Sequence, residues 1–271
     1  MQFCILKKIP FEIGALNIED IGLKNDETLL QLRRDIISYF IQDNESIRTD
    51  YCGNKQSFEI NYEILSMGEF YKKISSSSYN YFKTLLSEEL KKDILKNLWK
   101  NIIFNRKDHY FLELLLFGLF NIDFFKTRIE LSFMPNGSYI VPHTDSKRKI
   151  FSGLIYLPSI EQECNDKLGT SFWDCDVENI HNKHLEDTES KTKFYSTASL
   201  IYRPNFESCK MYYFLRNSKS WHSVEKVDLK TDEYRISINY NITIEKTIIR
   251  SLFHPLVSLI KKNKTSTESI F

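Results

Sequence analysis

Three residues in this sequence are of types that hold a transition metal, and their spacing favours one common site. His143 and Asp145 stand two positions apart in the segment YIVPHTD, and His222 lies far along the chain in SKSWHSV. In a strand, residues i and i+2 point to the same face, so one imidazole and one carboxylate are directed at one point. Two histidines and one carboxylate that leave positions open for co-substrate and O₂ are typical of non-haem Fe(II) oxygenases. We therefore predict that these three residues bind a metal.

An arginine and a serine behind the second histidine could bind a carboxylate. Arg235 follows His222 by 13 residues, on the polar face of an alternating segment, and Ser237 lies two residues further on. A guanidinium donates paired hydrogen bonds to a carboxylate, and a nearby hydroxyl can assist. Taken alone, Arg235 also fits a surface charge, and each histidine also fits a surface pair or a structural role. Together they favour a site that holds a metal ion and a carboxylate ligand.

The elements that must position these residues differ before and after about residue 125. Before it, apolar residues recur at three- and four-residue spacing, which predicts amphipathic helices. One helix is capped by Asp26 and the other begins at Ser87. Their apolar stripes are Leu29, Leu32, Ile36 and Phe40 in the first, and Leu90, Ile94, Leu98 and Ile102 in the second.

After residue 125 the period becomes two, which predicts strands. Thr127–Met134 and Tyr234–Ile242 alternate between apolar and polar residues. Shorter strand-like segments between them cover 139–143, 150–157, 171–173, 197–203, 211–215 and 221–228. About eight short antiparallel strands indicate a jelly roll, also called a double-stranded β-helix.

The sequence thus predicts an α+β protein whose jelly-roll core carries a helical N-terminal region on its outside. We expect a mainly helical region at 1–125, a catalytic core at 126–245 with a polar insertion at about 161–193, and a C-terminal helix and tail at 246–271. The helical region and the insertion are the segments that we expect to shape substrate specificity.

Composition excludes several classes of function. The net charge of +1 gives no strong field for nucleic acid or membrane binding. The five cysteines are scattered without CxxC spacing, which indicates reduced thiols and a cytoplasmic protein. The start of the chain does not resemble a signal peptide, and its longest apolar stretch, 111–122, is shorter than the roughly 20 residues of a membrane span. We therefore expect neither a nucleic-acid nor a membrane partner.

Five segments together resemble the 2-oxoglutarate/Fe(II)-dependent oxygenase superfamily, nearest to members with the prolyl-hydroxylase layout. They are SYIVPHTD, GLIYLP, LGTSFW, SKSWHSV and YRISINYNI, and the resemblance covers roughly 127–242. It implies that the two histidines and the aspartate bind iron, and that Arg235 with Ser237 binds the far carboxylate of 2-oxoglutarate. The family's paired glycines before its TxF segment are here the single Gly169, which puts the turn before that strand in question.

The resemblance also implies a reaction. Iron, O₂ and 2-oxoglutarate would oxidise a C–H bond of a substrate, with release of succinate and CO₂. Related halogenases carry a small residue at the position of Asp145, so the aspartate favours hydroxylation. Family members often place a tyrosine hydroxyl on 2-oxoglutarate, and Tyr139 and Tyr156 are the candidates here, although core packing suits either. A free amino acid, peptide, sugar or other small molecule remains open as substrate, and so does the oligomeric state.

Other functions fit parts of the pattern. A cupin-like jelly roll that binds a metal or ligand without catalysis would use the same histidines structurally. A metal-dependent hydrolase or isomerase could also use the cluster, but would give Arg235 no specific partner. A rival zinc site could form from His181 and His184 near Asp174 and Asp176, although a solvated loop fits that polar stretch better.

Overall fold

The fold is that of a computed structural model of the 271-residue chain. The structure describes residues 1–8, 10–23, 26–42, 48–49, 55–66, 72–105, 118–119, 123–175 and 188–244. The predicted C-terminal helix and tail lie outside these ranges. The same holds for the rival pair His181 and His184, and for most of the apolar stretch 111–122.

Most of the helical structure precedes the sheet-rich part of the chain. The helices are α1 (Asp26–Ile36), α2 (Tyr62–Ser66), α3 (Ser76–Leu85), α4 (Glu88–Asn105) and α5 (Thr188–Thr197). The Ser87 hydroxyl accepts a hydrogen bond from the Leu90 amide at 3.2 Å and so caps α4. The predicted stripes are buried at Leu29, Leu32 and Ile36 in α1, and at Leu90, Ile94, Leu98 and Ile102 in α4. The periodicity therefore identified the correct faces of both helices.

Twelve described strands form two sheets in which every neighbouring pair is antiparallel. The strands are β1 (Cys4–Lys7), β2 (Ile13–Asn17), β3 (Arg48–Thr49), β4 (Gln56–Ile60), β5 (Phe125–Pro135), β6 (Ile140–His143), β7 (Lys149–Tyr156), β8 (Ser171–Asp174), β9 (Ser199–Tyr202), β10 (Lys210–Leu215), β11 (Trp221–Val224) and β12 (Tyr234–Ile244). The larger sheet has the order β1-β2-β10-β7-β12-β5-β4-β3, and the smaller has β6-β11-β8-β9. The predicted mixture of helices and antiparallel sheets is therefore present.

Eight of the strands, β5 to β12, lie where the two-residue period predicts strands. Four further strands come from the first 60 residues, for which the sequence predicts mainly helices. Two of them, β1 and β2, extend the larger sheet beside β10, and β4 and β3 extend it beside β5. These strands are short, and residues 13–16 of β2 are all buried, so no alternating pattern marks β2. The N-terminal region thus contributes to both edges of the sheet as well as covering it.

The centre of the larger sheet is buried on both faces, whereas Lys126 and Arg128 near one end of β5 are exposed. Its outer face carries Ile129, Ile238 and Tyr240, which share one core with helix residues such as Leu32 and Ile94. Because both faces are covered there, successive side chains of β12 point alternately into two buried regions. The alternation therefore does not distinguish a buried face from a solvent-exposed one.

The inner face of the larger sheet packs against the smaller sheet. Met134, Tyr156 and Tyr212 of the larger sheet form a second core with Leu168 and with Val224 of the smaller sheet. The polar residues Arg235, Ser237 and Asn241 of β12 lie on this inner face and are buried.

The predicted insertion at 161–193 contains regular structure. It includes a 3₁₀ turn at Asp166–Leu168, strand β8 and the first part of α5. Phe194 of α5 packs on Trp173 and Trp221, with ring centroids 6.0 and 5.2 Å apart. Helix α5 therefore covers the outer face of the smaller sheet, and Trp173 packs there.

The described cysteines form no disulfide with one another. Cys4, Cys164, Cys175 and Cys209 are free thiols, as expected, and Cys52 lies outside the described ranges. None of the helices in the described part of the chain combines the length and apolar character needed to cross a membrane.

Candidate metal and co-substrate site

His143 and His222 face each other on neighbouring strands of the smaller sheet. They are register partners on β6 and β11, and their ring centroids are 4.2 Å apart. Asp145 follows just after the end of β6. One ligand atom from each of the three residues lies within 4.8 Å of the other two. The fold thus brings together the three residues that the sequence selects as metal ligands.

Both imidazoles are held in the tautomer that presents Nε2 to a metal. His143 Nδ1 lies 2.9 Å from the Val141 carbonyl oxygen, and His222 Nδ1 lies 3.1 Å from the Ser220 carbonyl oxygen. A carbonyl oxygen can only accept, so Nδ1 of each neutral ring carries the hydrogen and Nε2 carries the lone pair. Hydrogen bonds of this kind orient metal-binding histidines.

Asp145 is a largely buried carboxylate that is held from two sides. Lys149 Nζ lies 2.8 Å from its Oδ1, and the Ser152 hydroxyl donates to its Oδ2 at 2.7 Å. Burial alone would raise the pKa of Asp145, but the charge of Lys149, and those of His222 and His143 when their rings are protonated, lower it below its ordinary value. The carboxylate is therefore negative at neutral pH, as a metal ligand must be.

A β-bulge in β6 determines which side chains share a face with His143. His222 pairs with His143, but Val224 pairs with Ile140, so β6 has one extra residue between the two pairs. An extra residue reverses the alternation along a strand. Tyr139, which simple alternation would place beside His143, is exposed with its ring towards α5. The structure therefore does not place Tyr139 on the face of His143, and its predicted role on 2-oxoglutarate stays a prediction.

Arg235 is enclosed on the inner face of the larger sheet and is only 2% exposed. Its Nε donates to the Leu168 carbonyl at 2.6 Å, and its Nη2 donates to the Thr170 hydroxyl at 3.3 Å. The guanidinium carbon lies 5.4 Å from the ring centroid of Tyr156 and 5.2 Å from that of Phe206. The Tyr156 hydroxyl in turn accepts from the Thr170 amide at 3.0 Å. The guanidinium is thus fixed by neutral groups.

Among the residues that the structure describes, no carboxylate pairs with Arg235. Its partners are a carbonyl, a hydroxyl, a thioether and two aromatic rings. Burial lowers the pKa of the guanidinium, yet an arginine stays protonated in proteins. A buried charge without a counter-ion is unfavourable by several kcal/mol. The surroundings of Arg235 therefore favour an anionic ligand.

Comparisons with known proteins find similarity in structure alone. No protein-family model matches the sequence, and no curated protein matches it. A prolyl-4-hydroxylase from Pseudomonas putida is 11% identical, with 86% of this chain and 94% of that chain covered and a TM-score of 0.47. A Trichoplax adhaerens prolyl hydroxylase, in complex with a hypoxia inducible factor peptide fragment, is 9% identical over 86% and 84%, with a TM-score of 0.48.

HygX from Streptomyces hygroscopicus, with nickel and 2-oxoglutarate bound, is 8% identical over 86% of this chain and 83% of that chain, with a TM-score of 0.45. Similarities at this level do not assign an activity, so the function has to be argued from the site itself.

The other predicted co-substrate residues lie close to Arg235 in the sheet. Ser237 is buried on the same inner face, and its hydroxyl donates to Asn239 Oδ1 at 3.4 Å. Tyr156 is the register partner of Ser237 on β7, and its ring covers the guanidinium. Both positions are compatible with the predicted roles, which stay predictions.

Three residues of the site were not selected from the sequence. Thr170 contacts Arg235, and Lys149 and Ser152 hold Asp145. Thr170 stands in the segment LGTSFW. The resemblance to the family selects this segment, but nothing in the sequence indicates that Thr170 contacts Arg235. Lys149 belongs to the basic run Lys147–Lys149, which on its own fits a solvated turn. Only the pairing of strands shows what these side chains contact.

Gly169 is required by a close approach of two chain segments beside Arg235. A β-carbon at this position would lie 1.9 Å from the Pro204 carbonyl oxygen. Substitution Gly169→Ala must therefore displace the backbone that presents Leu168 and Thr170 to the guanidinium. We expect the free energy of unfolding to fall by about 1–3 kcal/mol, together with weaker binding of any ligand held by Arg235.

Urea denaturation of Gly169→Ala, with Gly153→Ala as the control, tests this expectation. At Gly153 the added carbon meets the Met211 sulfur at 2.8 Å, a flexible side chain that can move aside. The loss should therefore be smaller in the control. Equal stability of Gly169→Ala and the unsubstituted protein would contradict the packing argument.

Proposed function

We propose that the protein is an Fe(II)- and 2-oxoglutarate-dependent oxygenase that hydroxylates a C–H bond and releases succinate and CO₂. One observation carries the proposal. The buried Arg235, which has only neutral partners among the described residues, lies on the inner face of the same pair of sheets as the His143, Asp145 and His222 cluster. A metal cluster alone would fit many proteins. The metal cluster together with Arg235, whose surroundings favour an anionic ligand, matches a dicarboxylate that chelates the metal.

The topology supports a jelly-roll core at residues 126–245, covered by the helices of residues 1–125. From β5 to β12 the chain places β5, β7, β10 and β12 in the larger sheet and β6, β8, β9 and β11 in the smaller. Two facing four-stranded antiparallel sheets built from eight strands are the arrangement of a jelly roll, or double-stranded β-helix. In it the metal residues come from the smaller sheet and Arg235 from the larger, so a ligand between the sheets could contact both.

The residues of the cluster fit iron. Two imidazoles with Nε2 presented and one ionised carboxylate form the two-histidine, one-carboxylate donor set of non-haem Fe(II) sites. When bound, iron would supply the activation of O₂ and the oxidation of the C–H bond. Lys149 and Ser152 would hold the Asp145 carboxylate in its direction.

Arg235 would bind the far carboxylate of 2-oxoglutarate, with the Thr170 hydroxyl beside it and Ser237 two residues along β12. Its guanidinium is already oriented by Leu168 and by the Tyr156 ring, so little side-chain freedom is lost on binding. Along β7, Tyr156 and Ser152 are four residues apart, about 13 Å of strand. The arginine and the metal residues are therefore served by the same strand, Arg235 through Tyr156 and Asp145 through Ser152.

Anaerobic spectroscopy tests the proposed function directly. Protein loaded with Fe(II) should develop a metal-to-ligand charge-transfer band on addition of 2-oxoglutarate, and should release succinate when O₂ is admitted. The control is the same titration with succinate, which lacks the keto group needed for chelation. A protein that binds Fe(II) but gives no band and no succinate would contradict the proposal, and would favour a metal-binding jelly roll without catalysis.

A further inference from the structure

Strand β5 places two basic residues on the inner face at the metal end of the sheet. Arg128 is the register partner of Asn241 on β12, and Asn241 is also the register partner of Ser152 on β7. Residues paired in register point to the same face, so Arg128 lies on the face that carries Ser152. Lys126 stands two residues earlier on β5 and shares that face.

Arg128 is close enough to the metal residues to contact a molecule bound there. It is separated from Ser152 by two strand spacings, which is about 10 Å between the Cα atoms. The Ser152 hydroxyl contacts the Asp145 carboxylate at 2.7 Å. Arg128 therefore lies across the sheet from the cluster, at a separation that a bound molecule and the long arginine side chain can span together. Along β12, Arg235 lies beyond Ser237 and Asn239 as seen from Asn241 and is buried, whereas Arg128 is exposed.

The acidic groups near Arg128 on this face already have partners. Glu130 accepts from Lys55 Nζ at 2.9 Å and from the Asn239 amide at 3.1 Å. Asp145 is engaged by Lys149. Within the described part of the chain, no carboxylate forms a salt bridge with Arg128. Among the described residues, Arg128 therefore adds a positive charge to this face that no described carboxylate pairs with.

We propose that Arg128, assisted by Lys126, binds an oxyanion of the primary substrate, either a carboxylate or a phosphate. This inference rests on the proposed function, since it places the substrate beside the metal. An exposed guanidinium at the open end suits a molecule that enters from solvent, and its planar fork matches an oxyanion with two parallel hydrogen bonds. The substrate would thus be an organic acid or a phosphate ester, whose oxidised carbon lies between Arg128 and the iron.

The test is a screen for stimulated succinate release by the Fe(II)-loaded protein. The panel contains small carboxylates and phosphate esters, each beside its neutral counterpart, a methyl ester or the dephosphorylated alcohol. Comparison of the carboxylate and phosphate arms identifies which oxyanion is bound. The variant is Arg128→Gln, and the matched control is Arg34→Gln, because Arg34 is an exposed arginine on α1.

We expect stimulation by an anionic compound but not by its neutral counterpart. Arg128→Gln should raise KM for that compound by about ten- to a hundredfold, as expected for the loss of charge-assisted hydrogen bonds. The charge-transfer band with 2-oxoglutarate should be unchanged in this variant, and Arg34→Gln should match the unsubstituted protein. Added salt should raise KM in the unsubstituted protein more than in Arg128→Gln, because screening weakens an exposed ion pair.

Three results would overturn the inference. They are a preferred substrate without an oxyanion, an unchanged KM in Arg128→Gln, and a panel in which no anion stimulates succinate release. In each case an intact charge-transfer band would leave the proposed function standing. Absence of the band in the unsubstituted protein would remove the proposed function and this inference with it.

Discussion

Replacement of His143 or His222 by alanine is expected to abolish iron binding while the protein stays folded. Each imidazole supplies one of three donors in the cluster. Loss of a residue that merely orients a ligand lowers metal affinity about 10–100-fold, so loss of a ligand itself should exceed about a hundredfold. Both rings are partly exposed, and they stand on the short strands β6 and β11 of the smaller sheet. Their removal should therefore leave intact the core between the helices and the larger sheet.

Competition with a chromophoric Fe(II) chelator measures the affinity, and circular dichroism checks the fold. Ser152→Ala is a graded control, because it keeps all three ligands but removes the hydrogen bond to Asp145 Oδ2. It should weaken iron binding less than either histidine variant. Full iron occupancy in His143→Ala or His222→Ala would show that the metal assignment is wrong.

Arg235→Ala should weaken 2-oxoglutarate binding by on the order of a hundredfold and leave iron binding almost unchanged. Hydrogen bonds to charged groups contribute about 1.5–3 kcal/mol each, and each 1.4 kcal/mol changes an equilibrium constant by about tenfold. Arg235 is not among the metal residues, so the metal should remain. Arg235→Lys should recover part of the loss, because lysine supplies a charge without the planar fork.

Titration of 2-oxoglutarate into the anaerobic Fe(II) protein, followed by the charge-transfer band, measures this effect. Arg34→Ala on the surface of α1 controls for the general loss of an arginine. A role confined to packing predicts a change in stability with no change in 2-oxoglutarate affinity. Equal affinities in Arg235→Ala and the unsubstituted protein would remove the main support for the co-substrate.

The sequence predicted the strands of the core well, because hydrophobic alternation is a local property of the chain. All eight predicted segments after residue 125 contain a strand. Alternation along β12 also separated Arg235 and Ser237 from Ile236 and Ile238 correctly. It could not show that the polar side is an interior too, because that depends on a second sheet packed over it.

The remaining differences come from interactions between distant segments. The bulge that turns Tyr139 outwards is a property of the pairing between β6 and β11. Thr170 contacts Arg235 from a segment that Pro204 approaches closely at Gly169. Neither the bulge nor the approach of Pro204 to Gly169 can be recognised from the local sequence of either segment involved. Sequence reasoning therefore identified the types of residue in the candidate site better than it identified their supporting partners.

The pairing of β2 with β10 constrains how the protein can be made. Ile13 at the start of the chain is the register partner of Phe214, and β2 provides the link between β1 and the rest of the larger sheet. At roughly 5–20 residues per second, synthesis of the intervening chain of about two hundred residues takes on the order of 10–40 s. During that time the edge of β2 that pairs with β10 has no native partner, although the other edge can already pair with β1. The β2 side of the larger sheet can therefore form only after β10 has been synthesised, and a nascent chain released before that point would expose an unpaired strand edge to its neighbours.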